Sequence, residues 1–226
     1  DKGLGKKEND PPFFKTSSTW ADSVLQTMNV EEKIAQLLMV AAYSNKDEKH
    51  ELEIEKLITE NKIGGLIFMQ GGPERQARLY NRYQKASKIP LMISIDGEWG
   101  LAMRLDSTVK YPYQMTLGAI QDEKLIYEMG VDIGEQCQRL GIQVNFAPVV
   151  DVNVNPKNPI INARSFGENK YNVAQKGVAY MKGMQSVNVL ANAKHFPGHG
   201  DTDMDSHKSL PIINHDVNRM DSVELY

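Results

Sequence analysis

The sequence is poor in cysteine, in net charge and in long apolar runs, three features that mark large classes of protein. Cys137 is its one cysteine in 226 residues, so no disulfide can form within the chain. The 26 basic and 29 acidic side chains give a net charge of only -3, with both signs interspersed. The longest apolar run, IAQLLMVAAY, is too short to span a bilayer. These shortages argue against a membrane span and, without a basic stripe, against a nucleic-acid partner.

The chain also lacks repeats, low-complexity tracts and Gly/Ser-rich linkers that would divide it. A hydrophobic content of 41% is enough for a real core. The polar opening DKGLGKKENDPPFF predicts a flexible lead-in left after processing, so we expect residues 1–28 to hold this lead-in and a first helix. Residues 29–226 are expected to form one domain. Cys137, in the helical pattern EQCQRLG, is expected to be a buried, unreactive thiol.

Strand-like and helix-like segments alternate from Asn29 onward. Asn29 and Glu32 form a capping-box pattern that opens a helix through Lys33. Short apolar runs predict strands, and longer runs with helical spacing lie between them. The predicted strands are Leu37–Ala41, Gly65–Met69, Leu91–Ile95, Val144–Val150 and Val189–Ala193, and the predicted helices are Glu48–Glu60, Glu74–Ala86, Glu123–Leu140 and Val173–Ser186. This alternation predicts an α/β fold with a covered parallel sheet.

Ionisable residues follow directly on several predicted strands: Asp96, Asp151, and Lys194 with His195. A (β/α)8 barrel collects its active site at such strand ends, so the pattern favours a TIM-type barrel over a doubly wound sheet. Only about five to six βα units can be counted, whereas a full barrel takes about 250 residues. We therefore expect an incomplete barrel that continues beyond Tyr226, with another helix beginning at Asp221 as its N-cap.

The segment KHFPGHGDTDMDSHK, residues 194–208, concentrates ionisable side chains. A metal site is disfavoured, because Pro197 and Gly198 break the helical register of His195 and His199. The DTDMDS run resembles the start of a calcium loop, but Ser206 stands where that loop needs glycine and Ile212 where it needs glutamate.

Acid/base chemistry is the second interpretation of this segment. On an extended backbone, Asp205 and His207 would lie on the same side, so that the carboxylate could orient the imidazole. An imidazole held in this way can give a proton and take one back. A loop cap is the alternative for an isolated pair of this kind.

Four segments in order along the chain resemble a known family. KHFPGHGDTDMDSHKSLP is similar to the signature of the NagZ-type β-N-acetylglucosaminidases of glycoside hydrolase family 3. IDGEWGLAMRL resembles that family's Asp-x-Glu-x-Gly segment, VNFAPVVDVN its fourth-strand segment, and ARSFG its Arg-Ser-Phe-Gly segment. The resemblance runs from about Asn29 to Tyr226.

This resemblance implies a retaining glycosidase that removes terminal β-linked N-acetylglucosamine from peptidoglycan-derived muropeptides through a covalent intermediate. It implies His207 as general acid/base with Asp205 as its partner, no cofactor, and a carbohydrate as the binding partner. Sugar-binding roles are implied for Asp96, as acceptor, and for Arg104, Arg164, Lys194 and His195, as donors; His199 is expected to shape its loop.

Two departures from the family pattern stand out. Trp99 and Leu101 replace smaller or polar family residues and are expected to reshape the pocket mouth. The family's nucleophilic aspartate follows a later strand, so the sequence predicts that it lies beyond Tyr226 and that residues 1–226 alone are inactive.

Other functions stay open at this point. One is a catalytically silent sugar-binding module, and another is a family 3 β-glucosidase, against which the Asp205–His207 pair argues. A further C-terminal domain is compatible with the sequence. Cell-envelope turnover and the polar start favour the bacterial periplasm or cell envelope, with the cytoplasm as the alternative.

Overall fold

The structure is a computed structural model, which describes residues 18–205, 207–208 and 210–226. The lead-in predicted for the start of the chain lies mostly outside these residues. The first described helix, α1 (Thr19–Gln26), buries none of its side chains. Within the described residues, no helix has the length and apolarity needed to cross a membrane.

Five parallel strands form one sheet in the order in which they occur along the chain. They are β1 (Met39–Ala42), β2 (Gly65–Phe68), β3 (Met92–Ile95), β4 (Val144–Asn145) and β5 (Leu190–Ala191). Met39 pairs with Gly65, and Gly65 pairs in turn with Met92. A doubly wound sheet reverses its strand order, whereas a barrel adds each strand beside the last. The sheet is therefore an arc of a (β/α)8-type barrel, and the predicted fold class is confirmed.

Helices connect the strands and cover the sheet. They are α2 (Val30–Ala35), α3 (Glu48–Thr59), α4 (Pro73–Ala86), α5 (Gln114–Gly118), α6 (Glu123–Arg139) and α7 (Lys170–Ser186), with single 3₁₀ turns at Leu101–Met103 and Asn162–Arg164. The predicted helices are confirmed to within three residues at each end, whereas α5 was not predicted. The capping box at Asn29 is present: its side chain accepts from Glu32 N, and Glu32 accepts from Asn29 N.

The fourth strand is shorter than predicted. The run Val144–Val150 was expected to be one strand, but regular pairing covers only Val144 and Asn145, and one isolated parallel bridge follows between Val149 and Lys194. Pro148 has no N–H to donate to a neighbouring strand. The side chain of Gln114 then takes both backbone groups of Val149, donating to its carbonyl at 2.7 Å and accepting from its N–H at 3.1 Å. The run resembles a strand in the sequence only because its residues are apolar.

The final helical turn also differs from the prediction. Asp221 was expected to be the N-cap of the last helix, but it lies inside the π-helical turn Met220–Glu224. The helix begins earlier, at α8 (Val217–Arg219), and Asp216 is its cap, accepting from Arg219 N at 2.8 Å. Both aspartates have a side chain that can cap a helix. Only Asp216 lies directly before the first helical residue, so it is the N-cap.

Helices α6 and α7 approach each other closely through glycines. A methyl group on Gly183 would lie 2.2 Å from the carbonyl oxygen of Tyr127, and one on Gly130 would lie 2.5 Å from that of Tyr180. Cys137 lies in the core beside this contact and is fully buried, as predicted. This tight pair covers the sheet on the side of β4 and β5.

Candidate active site

The ionisable residues that follow the strands lie at one edge of the sheet. Asp96 follows β3 directly, Asp151 lies beyond β4, and Lys194 and His195 lie just beyond β5. Because the carboxyl ends of parallel strands share an edge, these side chains come within contact distance although up to 98 positions separate them.

Four of the five predicted sugar-binding residues form one ion-pair network, here called the charged cradle. It consists of Asp96, Glu98, Arg104, Arg164 and Lys194. Asp96 accepts from Lys194 Nζ at 2.6 Å and from Arg104 Nη2 at 2.5 Å through its two carboxylate oxygens. The structure therefore brings these side chains together, and their sugar-binding role stays a prediction.

Glu98 is the residue of the cradle for which no role was predicted. It accepts two hydrogen bonds from Arg164, at 2.7 and 2.9 Å, and its Oε1 lies 2.7 Å from Lys194 Nζ. Its side chain is only 1% exposed. The motif contained the signal, since Glu98 follows Asp96 by two positions in the segment that resembles the family.

The cradle keeps its charges because they compensate each other. Burial alone would raise the pKa of Asp96, but the positive charges and hydrogen bonds of Lys194 and Arg104 outweigh it and lower that pKa below its ordinary value. Burial likewise opposes the charge of Arg164, whereas the hydrogen bonds and charge of Glu98 raise its pKa. Three cationic side chains against two carboxylates leave donors suited to the hydroxyl oxygens of a sugar.

His195 contacts the cradle through Arg164 and is held from its other side by a further aspartate, Asp151. Its Nδ1 lies 2.6 Å from Asp151 Oδ2, and its Nε2 lies 3.4 Å from Arg164 Nη2. Asp151 is also the acceptor for His199 N at 2.6 Å. His199 itself is buried, contacts the side chain of Thr202, and its carbonyl accepts from Asn158 at 2.6 Å. Burial lowers the pKa of His199, so the ring supports the loop as a neutral group.

Asp205 and His207 contact each other, but on a different backbone from the one predicted. His207 Nδ1 lies 2.8 Å from Asp205 Oδ1. The extended conformation was wrong: the same carboxylate oxygen accepts from His207 N at 2.9 Å, and Lys208 N donates to Asp205 O at 3.0 Å, so the segment is a tight turn. These backbone and side-chain hydrogen bonds from His207 lower the pKa of Asp205.

The imidazole of His207 lies at the surface, with its side chain 78% exposed. In the part of the chain that the structure describes, the hydrogen bonds and ion pairs of Asp205 and His207 join only residues 205–208. The structure thus forms the pair and, separately, the charged cradle.

A second charged group lies on the loop that carries the pair. Ligand atoms of Asp201, His215 and Glu224 lie within 4.8 Å of one another, a spacing that could hold a metal ion. His215 Nε2 is 2.6 Å from Asp201, and Arg219 lies 3.6 Å from Asp201 and 3.1 Å from Glu224. Arg219 already supplies a cation between the two carboxylates, so the group joins the loop to α8.

The expectation for the pocket mouth is half wrong. Leu101 is fully buried in the core and cannot line a mouth. Trp99 is half-buried and packs edge-on against the ring of Tyr113, with 4.6 Å between the ring centroids. Tyr113 itself is exposed.

Comparison with known proteins relates this site to one family. Residues 29–226 match the model described as "Glycosyl hydrolase family 3 N terminal domain". Beta-hexosaminidase A of Pseudoalteromonas piscicida is 39% identical over 186 residues, which cover 76% of this chain and 31% of that protein. A beta-N-acetylglucosaminidase/beta-glucosidase of Cellulomonas fimi is 30% identical over 188 residues, covering 83% of this chain and 33% of that protein.

The solved structures agree with the sequence relatives. A family 3 beta-N-acetylglucosaminidase from Paenibacillus sp. str. FPU-7 superposes with a TM-score of 0.80 at 38% identity, covering 88% of this chain and 39% of that one. The chain therefore spans about a third of the length of the curated relatives named here.

Proposed function

This chain belongs to glycosyl hydrolase family 3, and on that premise we propose that the protein is a retaining β-N-acetylglucosaminidase acting on terminal, β-linked N-acetylglucosamine. The observation that carries the proposal is the contact between His207 Nδ1 and Asp205 Oδ1 at 2.8 Å. A histidine oriented by a carboxylate can serve as acid in one step and as base in the next. The charged cradle and His195 beside it form the binding site for the sugar hydroxyls, through Asp96, Arg104, Arg164, Lys194 and His195.

The reaction has two steps. His207 gives a proton to the glycosidic oxygen, the bond from that oxygen to the anomeric carbon breaks, and an aspartate carboxylate bonds to the same carbon. His207 then takes a proton from water, whose oxygen displaces the aspartate. The nucleophile is expected beyond Tyr226. A histidine carries no negative charge in either of its protonation states, so it avoids the repulsion that a second carboxylate would meet beside this nucleophile.

The substrate class we favour is peptidoglycan-derived muropeptide. Such a substrate would place the protein in the bacterial periplasm or cell envelope, with the cytoplasm as the alternative for a recycling enzyme. The curated relative from Pseudoalteromonas piscicida carries the name beta-hexosaminidase, which supports the sugar more directly than the aglycone.

A catalytically silent sugar-binding module is the second candidate. It is favoured by the exposure of His207 and by contacts of the pair that stay within residues 205–208. A β-glucosidase is a third, since the name of the Cellulomonas fimi relative includes that activity.

The test uses the full-length protein that contains this chain and two chromogenic substrates, the β-N-acetylglucosaminide and the matching β-glucoside. We expect selective cleavage of the acetamido sugar, with the β anomer of N-acetylglucosamine as the first product by proton NMR. Faster cleavage of the glucoside would support the β-glucosidase. Binding of N-acetylglucosamine without cleavage of either substrate would support the silent module.

A further inference from the structure

Asp151 is a fully buried carboxylate whose hydrogen bonds all point to the loop after β5. The exposed fraction of its side chain is 0%. Oδ1 accepts from His199 N at 2.6 Å, and Oδ2 lies 2.6 Å from His195 Nδ1. Both oxygens also lie 3.3 Å from His195 N. A buried carboxylate with this many donors holds the backbone and the ring of His195 at once.

The two partners of the His195 ring select one tautomer. A carboxylate only accepts hydrogen bonds, so the proton lies on Nδ1, facing Asp151. A guanidinium only donates, and Arg164 Nη2 lies 3.4 Å from Nε2. Nε2 is therefore the acceptor nitrogen. A proton on Nε2 would make it a donor that faces the donor of Arg164.

We propose that Asp151 is a positioning residue that holds His195 in the Nδ1–H tautomer, so that Nε2 accepts a hydrogen bond from one hydroxyl of the bound sugar. This inference rests on the proposed function and changes the role expected for His195, from donor to acceptor.

The arrangement fits a hydroxyl because a hydroxyl both donates and accepts. The hydroxyl takes the place of the long contact between Arg164 and His195: its oxygen accepts from Arg164 Nη2, and its proton goes to Nε2 of His195, whose side chain is 34% exposed. The remaining cationic groups of the charged cradle, Arg104 and Lys194, can only donate. Apart from the buried Glu98, the acceptors of the site are then Asp96 of the charged cradle and His195 beside it, so the site distinguishes the direction of hydroxyl hydrogen bonds as well as their position.

Asp151→Asn reverses this arrangement with little change in shape. The amide oxygen can keep the hydrogen bond from His199 N, which turns the NH2 group toward His195 Nδ1. That group donates, so the ring proton moves to Nε2. His195 then presents a donor to the sugar beside the donor of Arg164.

The experiment measures the affinity of the full-length protein for N-acetylglucosamine and for analogues in which each hydroxyl in turn is replaced by fluorine. Fluorine is a weak acceptor and cannot donate. In the unmodified protein, the position whose hydroxyl donates to His195 is expected to lose about tenfold or more in affinity on fluorination, as is any position whose hydroxyl donates to Asp96. In Asp151→Asn, the parent sugar is expected to bind about 10- to 100-fold more weakly, and the penalty should fall to about twofold or less at one of these positions, the one that donates to His195.

Asp47→Asn is the matched control, since Asp47 caps α3 by accepting from His50 N and lies outside the charged cradle. It is expected to bind every sugar as the unmodified protein does. Nitrogen-15 NMR of the His195 ring gives a second readout on the unmodified protein, and it stands even where Asp151→Asn fails to fold. The Nδ1–H tautomer supports the proposal, and the Nε2–H tautomer overturns it.

The outcomes separate the inference from the proposed function. Normal binding with an unchanged fluorine penalty in Asp151→Asn overturns the inference and leaves the enzyme proposal standing. No binding of any sugar by the unmodified protein overturns the proposed function and the hydroxyl contact with it.

Discussion

Single residues decide what the charged cradle can do. Glu98 contacts both Arg164 and Lys194, and Asp96 contacts both Lys194 and Arg104. Each carboxylate therefore compensates two cations. The positions of these residues at strand ends could be predicted from the sequence, but the role of Glu98 could not, because a buried acid and a surface acid look alike in a single sequence.

We expect Glu98→Gln to weaken both the site and the fold. The neutral amide leaves Arg164 and Lys194 without their shared counter-charge at a position that is 1% exposed. The free energy of unfolding should fall by about 3 kcal/mol and the affinity for N-acetylglucosamine by at least about tenfold. Urea denaturation and calorimetric titration measure these changes.

Asp106→Asn is the control for this substitution. It removes an ion pair with Arg75 whose two side chains are at least half exposed, so its effect on stability should be below about 0.5 kcal/mol. Equal effects of the two substitutions would contradict the importance given to Glu98.

The pKa of Asp96 gives a prediction with a defined sign. Because Lys194 and Arg104 lower the pKa of Asp96 in the folded state, its contribution to stability is complete above its ordinary value of 3.8 and is lost as the pH falls through the lower folded value. Carbon-13 NMR of the Asp96 carboxyl should therefore show a midpoint below 3.8. Arg104→Gln should move the midpoint upward. A midpoint at or above 3.8 in the unmodified protein would refute the account.

At the scale of elements, the pair of helices α6 and α7 depends on close backbone contact. A methyl group on Gly183 would meet backbone atoms of Tyr127, Val131 and Gly130 within 2.9 Å, and none of these can turn aside as a side chain can. We expect Gly183→Ala to reduce the free energy of unfolding by about 3 kcal/mol, measured by urea denaturation.

Val178→Ala, on the exposed side of α7, is the matched control. Its side chain is exposed, and alanine favours helix more than valine does, so stability should change by less than about 0.5 kcal/mol. A Gly183→Ala protein as stable as this control would mean that α6 and α7 lie farther apart than described.

The elements also show where the sequence stops being informative. Apolar strands and capped helices have local signals, so β2, β3, α3 and α6 were predicted nearly to the residue. The run after β4 was read as strand because it is apolar, yet the backbone groups of Val149 bond to the side chain of Gln114, 35 positions away, and its other bonds to the segment after β5 are irregular. The turn at Asp205 depends on hydrogen bonds from both the backbone N–H and the imidazole of His207 to one carboxylate. Such long-range or competing contacts leave no periodic pattern in the sequence, so they could not be predicted from it.

The packing of the whole molecule can be tested through the reactivity of the Cys137 thiol. The thiol is fully buried in α6, and burial raises its pKa to about 12. We expect a thiol-reactive disulfide reagent at pH 8 to label the native protein only as fast as it unfolds, and to label it at once in denaturant. Rapid labelling without denaturant would mean that the packing around α6 opens locally.

The role of His207 is the central claim, and the most direct measurement compares leaving groups. In the full-length protein, His207→Ala should slow cleavage of a β-N-acetylglucosaminide with an alkyl leaving group by about 10²- to 10⁴-fold. The kcat/KM for the activated dinitrophenyl glycoside, which reports only the first step, should fall far less, because that leaving group needs little help from an acid. Lys182→Ala, at an exposed position of α7, should leave the values for both substrates unchanged. Equal losses on the two substrates, or no loss on either, would contradict the assignment of His207 as the acid.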